Sequence, residues 1–313
     1  MFALGKRKKS NSLTGIVTGP EGIALARVQR DKNGQFVLDA CEFTALPDQK
    51  DPGDTGLGKL IKVHGLDKQA CATILPVGDY KLLAIDAPEV PPSELRAAIR
   101  WRVHDMIDFH IDDAVIDVFD IPPTGPTDNL KKLYVAVARS ADVKQHIDRL
   151  EKAGACLEII DIPELAIRNI ATCLPEDEQG MATLYFEADL CLMTITHQSC
   201  LYITRTLDIG YRQLLDTSID TKPLLDRLAL EIQRSLDYYE HHFHQPPVRH
   251  LGILPVAEPL PGLVDNLQNS LGVATRVIEL NDILETRLAL DNKTAARCIL
   301  AIGASLRRDS RTL

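Results

Sequence analysis

Twice along the chain, a pair of strand-like runs joined by a tight turn opens a longer succession of helices and strands. The first pair is LTGIVTGPEGIALARV, Leu13 to Val28. The second lies in MATLYFEADLCLMTITHQSCLYITRTLDIG, Met181 to Gly210, with its turn at Gln198-Ser199. Each is followed by helix, strand, helix and strand, and no shorter repeat is present. A chain that states one α/β plan twice is constrained to two similar layered halves, because each sheet must bury a face under its own helices.

After the first hairpin, QFVLDACEFTAL reads as a further strand, GLGKLIKVHG as a short helix that Gly65 can stop, and ACATILPV and GDYKLLAIDAP as strands. PPSELRAAIRWRVHDMI has the clearest helix start in the chain. Ser93 can cap it, Glu94 sits in the first turn, and prolines precede it. Leu95, Ala98, Ile99, Val103 and Met106 recur at helical spacing, which leaves Arg100, Trp101 and Arg102 for a rim or a partner. DDAVIDVFDI and KKLYVAVARS are strands joined by PPTGPTDN, ADVKQHIDRLEKAG is an amphipathic helix, and CLEIIDIP with PELAIRNIATCL adds a strand and a helix. In the second half, KPLLDRLALEIQRSLDYYEHHF is a long helix with Leu225, Leu228, Ile232, Leu236 and Tyr239 on one stripe. RHLGILPV and TRVIEL are strands, and LPGLVDNLQNSLG and KTAARCILAIGASLRR are helices. The acidic LPEDEQG is the expected boundary between the halves.

Composition narrows the function. At 313 residues with 45% hydrophobic residues, the chain can bury a large core. A net charge of −9 argues against nucleic-acid binding, which needs a basic face. The basic cluster Lys6-Arg7-Lys8-Lys9 is expected to be a solvated tail, with peripheral contact to anionic lipid as the alternative. No apolar run approaches the roughly 20 residues of a membrane span, and the start carries no signal peptide, so a cytoplasmic location is expected. Seven cysteines without a CxxC pair are expected to be reduced thiols.

Three chemistry-bearing patterns are weak. GDTGLGKL, Gly53 to Leu60, fits GxxxxGK but puts Leu60 where a phosphate loop needs the hydroxyl that binds Mg²⁺, and it follows a polar turn rather than a buried strand. His241, His242 and His244 do not converge from one helix end and have no carboxylate or thiolate at ligand spacing, so no metal is expected. Asp105, Asp108, Asp112, Asp113, Asp117 and Asp120 read most simply as a charged edge strand.

The stretch ILPVGDYKLLAIDAPEVPPSELRAAIRWRVHDMIDFHIDDAVIDVFDI, together with LALEIQRSLDYYEHHF, LPGLVDNLQNSLG and AIGASLRR in the same order, resembles the PilM family of type IV pilus assembly. That family is a branch of the actin-like ATPase superfamily, and the variant most similar is the MshI type of the mannose-sensitive haemagglutinin (MSHA) pilus. The resemblance implies an actin-like (ribonuclease H-like) α/β fold of two domains, with a small inserted α/β subdomain and a reduced or missing second roof subdomain. Its expected parts are a tail at 1–12; a first subdomain at 13–75 and 155–175 with the closing helix 294–308; an insertion at 76–150; and a second subdomain at 181–293.

Members that bind ATP do so through three loops, and this chain departs from all of them. Where the first resembles GIDIGSxxxK, the chain has Val17 for the acid, Gly19 in place, Pro20 and Glu21 in the turn, and Ala24 for the Lys. Where the second resembles VDIGxxxT, it has Tyr185 for the acid and Glu187 for the Gly. Where a Gly-Gly pair precedes the third helix, it has Pro255-Val256. Between Gly210 and Pro223, YRQLLDTSIDTK is too short for the roof subdomain. The resemblance therefore implies a pseudo-ATPase without cofactor or metal. It would act as a scaffold at the inner membrane and bind the N-terminal cytoplasmic peptide of a PilN-like bitopic protein near Trp101 and Arg102. Two alternatives remain: a nucleotide-dependent switch or ATPase in which Asp189 and Asp208 replace the lost acids, and a type II secretion platform component. The absence of a transmembrane helix after AIGASLRRDSRTL favours the pilus over the latter.

Overall fold

The structure, a computed structural model, describes residues 2–3, 12–45, 54–124, 131–286 and 288–308. In chain order its strands and helices are β1 (Phe2–Ala3), β2 (Ser12–Thr18), β3 (Gly22–Arg30), β4 (Phe36–Ala45), α1 (Asp54–His64), β5 (Ala70–Ile74), β6 (Tyr80–Asp86), α2 (Pro92–Val103), β7 (Ala114–Ile121), β8 (Lys132–Arg139), α3 (Ser140–Lys152), β9 (Cys156–Asp161) and α4 (Pro163–Ala171). The second half continues with β10 (Met181–Phe186), β11 (Cys191–His197), β12 (Cys200–Leu207), α5 (Tyr211–Leu215), α6 (Lys222–Phe243), β13 (His250–Ile253), α7 (Leu263–Leu271), β14 (Ala274–Val277), α8 (Leu280–Ile283), β15 (Glu285–Thr286) and α9 (Asn292–Ser305).

The repeated plan appears as two sheets of the same order. One runs β1-β9-β5-β2-β3-β4-β15 and the other β12-β11-β10-β13-β14. In each, the opening strand pairs antiparallel with its hairpin partner on one side and parallel with the next strand on the other. A third, antiparallel sheet of order β6-β8-β7 lies between β5 and β9 in the chain. The turn at Gln198 and Ser199 holds both residues at positive φ, as a tight two-residue hairpin requires.

The helices are placed by their apolar stripes. Leu225, Leu228, Ile232, Leu236 and Tyr239 of α6 are all buried under the second sheet. Ile99 and Val103 of α2 pack on Ile85, Ile116, Val135 and Val137 of the three-stranded sheet. α9 lies against β2, β3 and α4, and two glycines allow that approach. A Cβ on Gly15 would fall 2.0 Å from the carbonyl oxygen of Ala301, and one on Gly303 would fall 2.5 Å from that of Ala166. Gly65, at φ +63, ends α1 with paired bonds from Leu66 N–H to Ile61 O and from Gly65 N–H to Lys62 O, which satisfy carbonyls that the last turn leaves open.

Several local expectations are corrected. Pro91, not Ser93, precedes α2, so Ser93 lies inside the helix and no side chain caps it. The helix stops at Val103, a 3₁₀ turn follows, and Met106 is exposed rather than on the packed face. Asp117 is buried, unlike the solvated edge residue expected; β7 nonetheless forms an edge of its sheet. Within the stretch read as a tail, Phe2–Ala3 pair antiparallel with β9. Lys6 to Lys9 lie outside the described residues. No helix among the described residues is long and apolar enough to cross a membrane.

Candidate functional site

The two sheets face each other across a cavity of about 260 Å³. All seven positions singled out from the three loops, Val17, Gly19, Pro20, Tyr185, Glu187, Pro255 and Val256, line it, although they come from segments far apart in the chain. Ala24 and Glu21 line it as well. Phe43 from β4, Tyr211 from α5 and Ala296, Arg297 and Leu300 from α9 complete much of the wall. None of these last five was recognisable from sequence as part of a site. Arg297 carries no local motif, and only the packing of α9 on β2 and β3 brings it there.

The first turn is tightly closed on itself. Gly19 N–H donates to Gly22 O at 2.9 Å, and Gly22 N–H donates back to Gly19 O at 3.3 Å. Pro20 has no N–H, so of the residues from Gly19 to Gly22 only Glu21 retains an amide not committed within the turn. Phosphate cradles need several amides converging on one point. The Glu21 side chain adds negative charge at the mouth, where the Tyr211 hydroxyl from the second half donates to it in a short hydrogen bond. Burial and this carboxylate push the Tyr211 phenol up to about 12, so the hydroxyl stays protonated as donor at neutral pH.

The second loop is committed likewise. Glu187 N–H donates to Leu190 O at 2.8 Å, and Glu187 O accepts from Tyr211 N–H at 2.9 Å. Burial raises the pKa of the Glu187 carboxyl, and burial, with Glu187 and Glu21 close by, raises that of the Tyr185 phenol. A phenol held in its neutral form is no substitute for a carboxylate at a Mg²⁺ site. Asp189 and Asp208, the acids the ATPase alternative requires, do not line the cavity. Asp189 is paired with Arg212 at 3.2 Å near the surface. No group of three or more metal-ligating side chains occurs among the described residues.

A second cavity of about 550 Å³ shares Pro255 and Val256 and runs under α7 and the segment before α9. The remaining sequence candidates are dispersed. Leu57 and Leu60, inside the phosphate-loop-like match, are buried in α1 as packing residues. His242 stacks on Tyr238 at 4.6 Å and faces Lys132 Nζ at 3.3 Å, while His241 and His244 are exposed.

On α2, Trp101 is 82% exposed, with its ring beside that of His104. Arg100 is not free as expected: its guanidinium donates to Ile111 O at 2.7 Å and contacts Asp112 at 3.2 Å, tying α2 to the start of β7. Arg102 donates to Asp86 O at 3.1 Å and stays largely at the surface. The three-stranded sheet that α2 covers is anchored to its neighbours. Tyr80 donates to the buried Glu164 of α4 at 2.5 Å, and Tyr134 donates to Tyr202 O at 3.1 Å.

No protein-family model matches the sequence, and no curated protein matches it either. Among solved structures the chain is similar to that of the PilM-PilN type IV pilus biogenesis complex, with a TM-score of 0.74 at 19% identity over 94% of this chain and 97% of that one. The fold is actin-like, of the PilM kind. A further similar structure is the cytoplasmic domain of EpsL, an inner-membrane component of the type II secretion system of Vibrio cholerae. Its TM-score is 0.50 at 12% identity over 92% of this chain and 94% of that one. At these identities the likeness is one of backbone architecture, and the residues of the cleft have to be read on their own chemistry.

Proposed function

We propose that this protein is a non-catalytic scaffold of the cytoplasmic platform that assembles a type IV pilus, of the MSHA class and MshI type. The observation that carries the reading is the backbone match, over 94% of this chain, to a chain of the PilM-PilN type IV pilus biogenesis complex. The cleft supports the non-catalytic part. Its first turn spends the Gly19 and Gly22 amides internally, Val17 and Tyr185 stand where the acids are expected, Asp189 and Asp208 lie off the cavity, and its mouth is spanned by the Tyr211–Glu21 bond.

In this reading the partner is a PilN-like bitopic inner-membrane protein, whose N-terminal cytoplasmic peptide recruits the scaffold to the membrane from the cytoplasm. An extended peptide on a folded surface draws its affinity from apolar anchors in pockets and its specificity from charges at the rim. Trp101 is a large exposed aromatic held on a well-packed helix, with Arg102 beside it, which suits such an anchor. Trp101 is also the single tryptophan of the chain, so its emission reports on this surface alone. Titration with the N-terminal cytoplasmic peptide of a PilN-like bitopic protein should shift that emission and saturate. A saturating calorimetric signal with unchanged emission would move the peptide away from α2, and no binding by either method would remove the peptide role.

The likeness to the EpsL cytoplasmic domain favours a second reading, a platform component of a type II secretion system. The two readings part on the partner: pull-down of secretion rather than pilus components from membranes would select the second.

A further inference from the structure

The cavity between the two sheets has lost what a polyphosphate needs, yet it has not been filled by larger side chains. About 260 Å³ remains, walled by Val17, Ala24, Phe43, Ile74 and Leu300 among others. Into this apolar space the structure places one guanidinium. Arg297 projects from α9 with its Cζ over the Phe43 ring, 4.5 Å from the centroid. Its Nε is buried and has no hydrogen-bond acceptor among the described residues. Stacking on an aromatic face leaves the N–H edge of a guanidinium free to bind a planar anion in two parallel bonds.

The acids nearby do not neutralise it. Glu21 accepts from Tyr211 at the mouth, and no ion pair to Arg297 is present for either Glu21 or Glu187 among the described residues. Burial raises the pKa of the Glu187 carboxyl. A polyanion fits badly: among the described residues lining the cavity there is one cation for several charges, and no carboxylate cluster to hold Mg²⁺ occurs among the described residues. A bulky lipid exceeds the volume. What matches the wall and its half-buried cation, the one among the described lining residues, is a compact body, largely apolar, with one charged end.

We propose that the cavity between the two sheets binds a small apolar molecule bearing a single carboxylate or similar anion, which Arg297 holds against Phe43. The site is separate from the peptide surface on α2, and its occupancy is independent of whether a peptide binds there.

The test uses the full chain and the fluorescent probe 8-anilinonaphthalene-1-sulfonate, an apolar body with one anion. Octanoate, octylamine and Mg-ATP are competed against it at equal concentrations. Octanoate is expected to displace the dye, while octylamine and Mg-ATP leave it bound. Arg297→Gln is expected to weaken octanoate by roughly tenfold or more, the loss that follows from removing the charge-assisted pair of bonds. Because the dye also enters other apolar cavities, only the octanoate-sensitive, Arg297-dependent fraction counts. Displacement by octylamine as strong as by octanoate would overturn the inference on the unmodified protein, whether or not the variant folds. So would displacement by Mg-ATP, no octanoate-sensitive dye at all, or an Arg297→Gln protein that binds octanoate within twofold of the original. Peptide binding to α2, read separately through Trp101, is expected to be the same with and without octanoate.

Discussion

Replacing Gly303 by Ala puts two opposing effects against each other. Gly303 lies inside α9, where Ala is ordinarily preferred over Gly by about 1 kcal/mol. Judged from helix propensity alone, the variant should be more stable. The structure argues the reverse, because the new methyl group would sit 2.5 Å from the Ala166 carbonyl oxygen, 2.8 Å from its carbon and 2.9 Å from its Cβ. Two of these are backbone atoms of α4, so no rotamer change can relieve them. The helices must part by about 1 Å in a close-packed core. Overpacking of this kind costs about 1–3 kcal/mol. The separation also stretches the 2.9 Å bond from Asn169 Nδ2 to Gly303 O, with a net contribution of about 1 kcal/mol. The sum, after the propensity gain, is a loss of roughly 1–3 kcal/mol, or a fall in Tm of roughly 2–5 °C for a chain of this length. Gly58→Ala is the control: it is also inside a helix, but its Cβ would meet nothing nearer than 3.9 Å, and a small rise in Tm is expected. Thermal unfolding followed by circular dichroism on both variants decides the matter. If Gly303→Ala melts at or above the parent temperature, the close α4–α9 packing described above is wrong.

Other consequences follow from single contacts. Asp161 and Arg307 form a fully buried pair at 3.1 Å between β9 and the end of α9, so Asp161→Asn, which removes the carboxylate facing a buried cation, should cost about 3 kcal/mol or more in urea unfolding. Burial lowers the His146 imidazole from 6.5 to about 4 while its Nε2 lies 3.0 Å from Thr73 Oγ1. The unfolded chain therefore binds the extra proton first: this contribution to stability is complete above pH 6.5 and declines as pH falls towards 4. His146→Gln should flatten the urea midpoint between pH 6.5 and 5 relative to the parent, and an unchanged slope would mean that the imidazole is not held neutral. Trp101→Ala, at an 82% exposed site, should leave stability within about 0.5 kcal/mol yet weaken the membrane-protein peptide at least about tenfold.

Much of the fold was legible because its signals are local. The stripe of α6 from Leu225 to Tyr239, the Gln198-Ser199 turn and the Gly65 stop each depend on residues adjacent in the chain, and each appears where its pattern puts it. The short elements α5, α8 and β15, by contrast, carry too few residues for a period to register, and β1 exists only because β9 offers it an edge. The start of α2 departs from its pattern because the helix begins one residue before Ser93, with Pro91 at the N-cap, which leaves Ser93 no cap to supply. At the site, Val17, Pro20, Tyr185, Glu187 and Pro255 were found through loop patterns that travel with the strands. Arg297, Phe43 and the partnership of Tyr211 with Glu21 were not, since they depend on contacts across 190 or more residues of chain. Arg100 shows the limit of a helical wheel. The wheel assigned it to a free face, whereas its long side chain reaches back to the carbonyl of Ile111.

The proposed function, a scaffold built on an actin-like fold that does not bind nucleotide, stands or falls on one comparison. Isothermal titration calorimetry tests it most directly, with Mg-ATP in one series and the N-terminal cytoplasmic peptide of a PilN-like bitopic protein in the other. Saturable heat with the peptide and none with Mg-ATP is the expected result. Saturable binding of Mg-ATP at micromolar affinity would contradict it, and would mean that the closed turn at Gly19–Gly22 opens to hold phosphate after all.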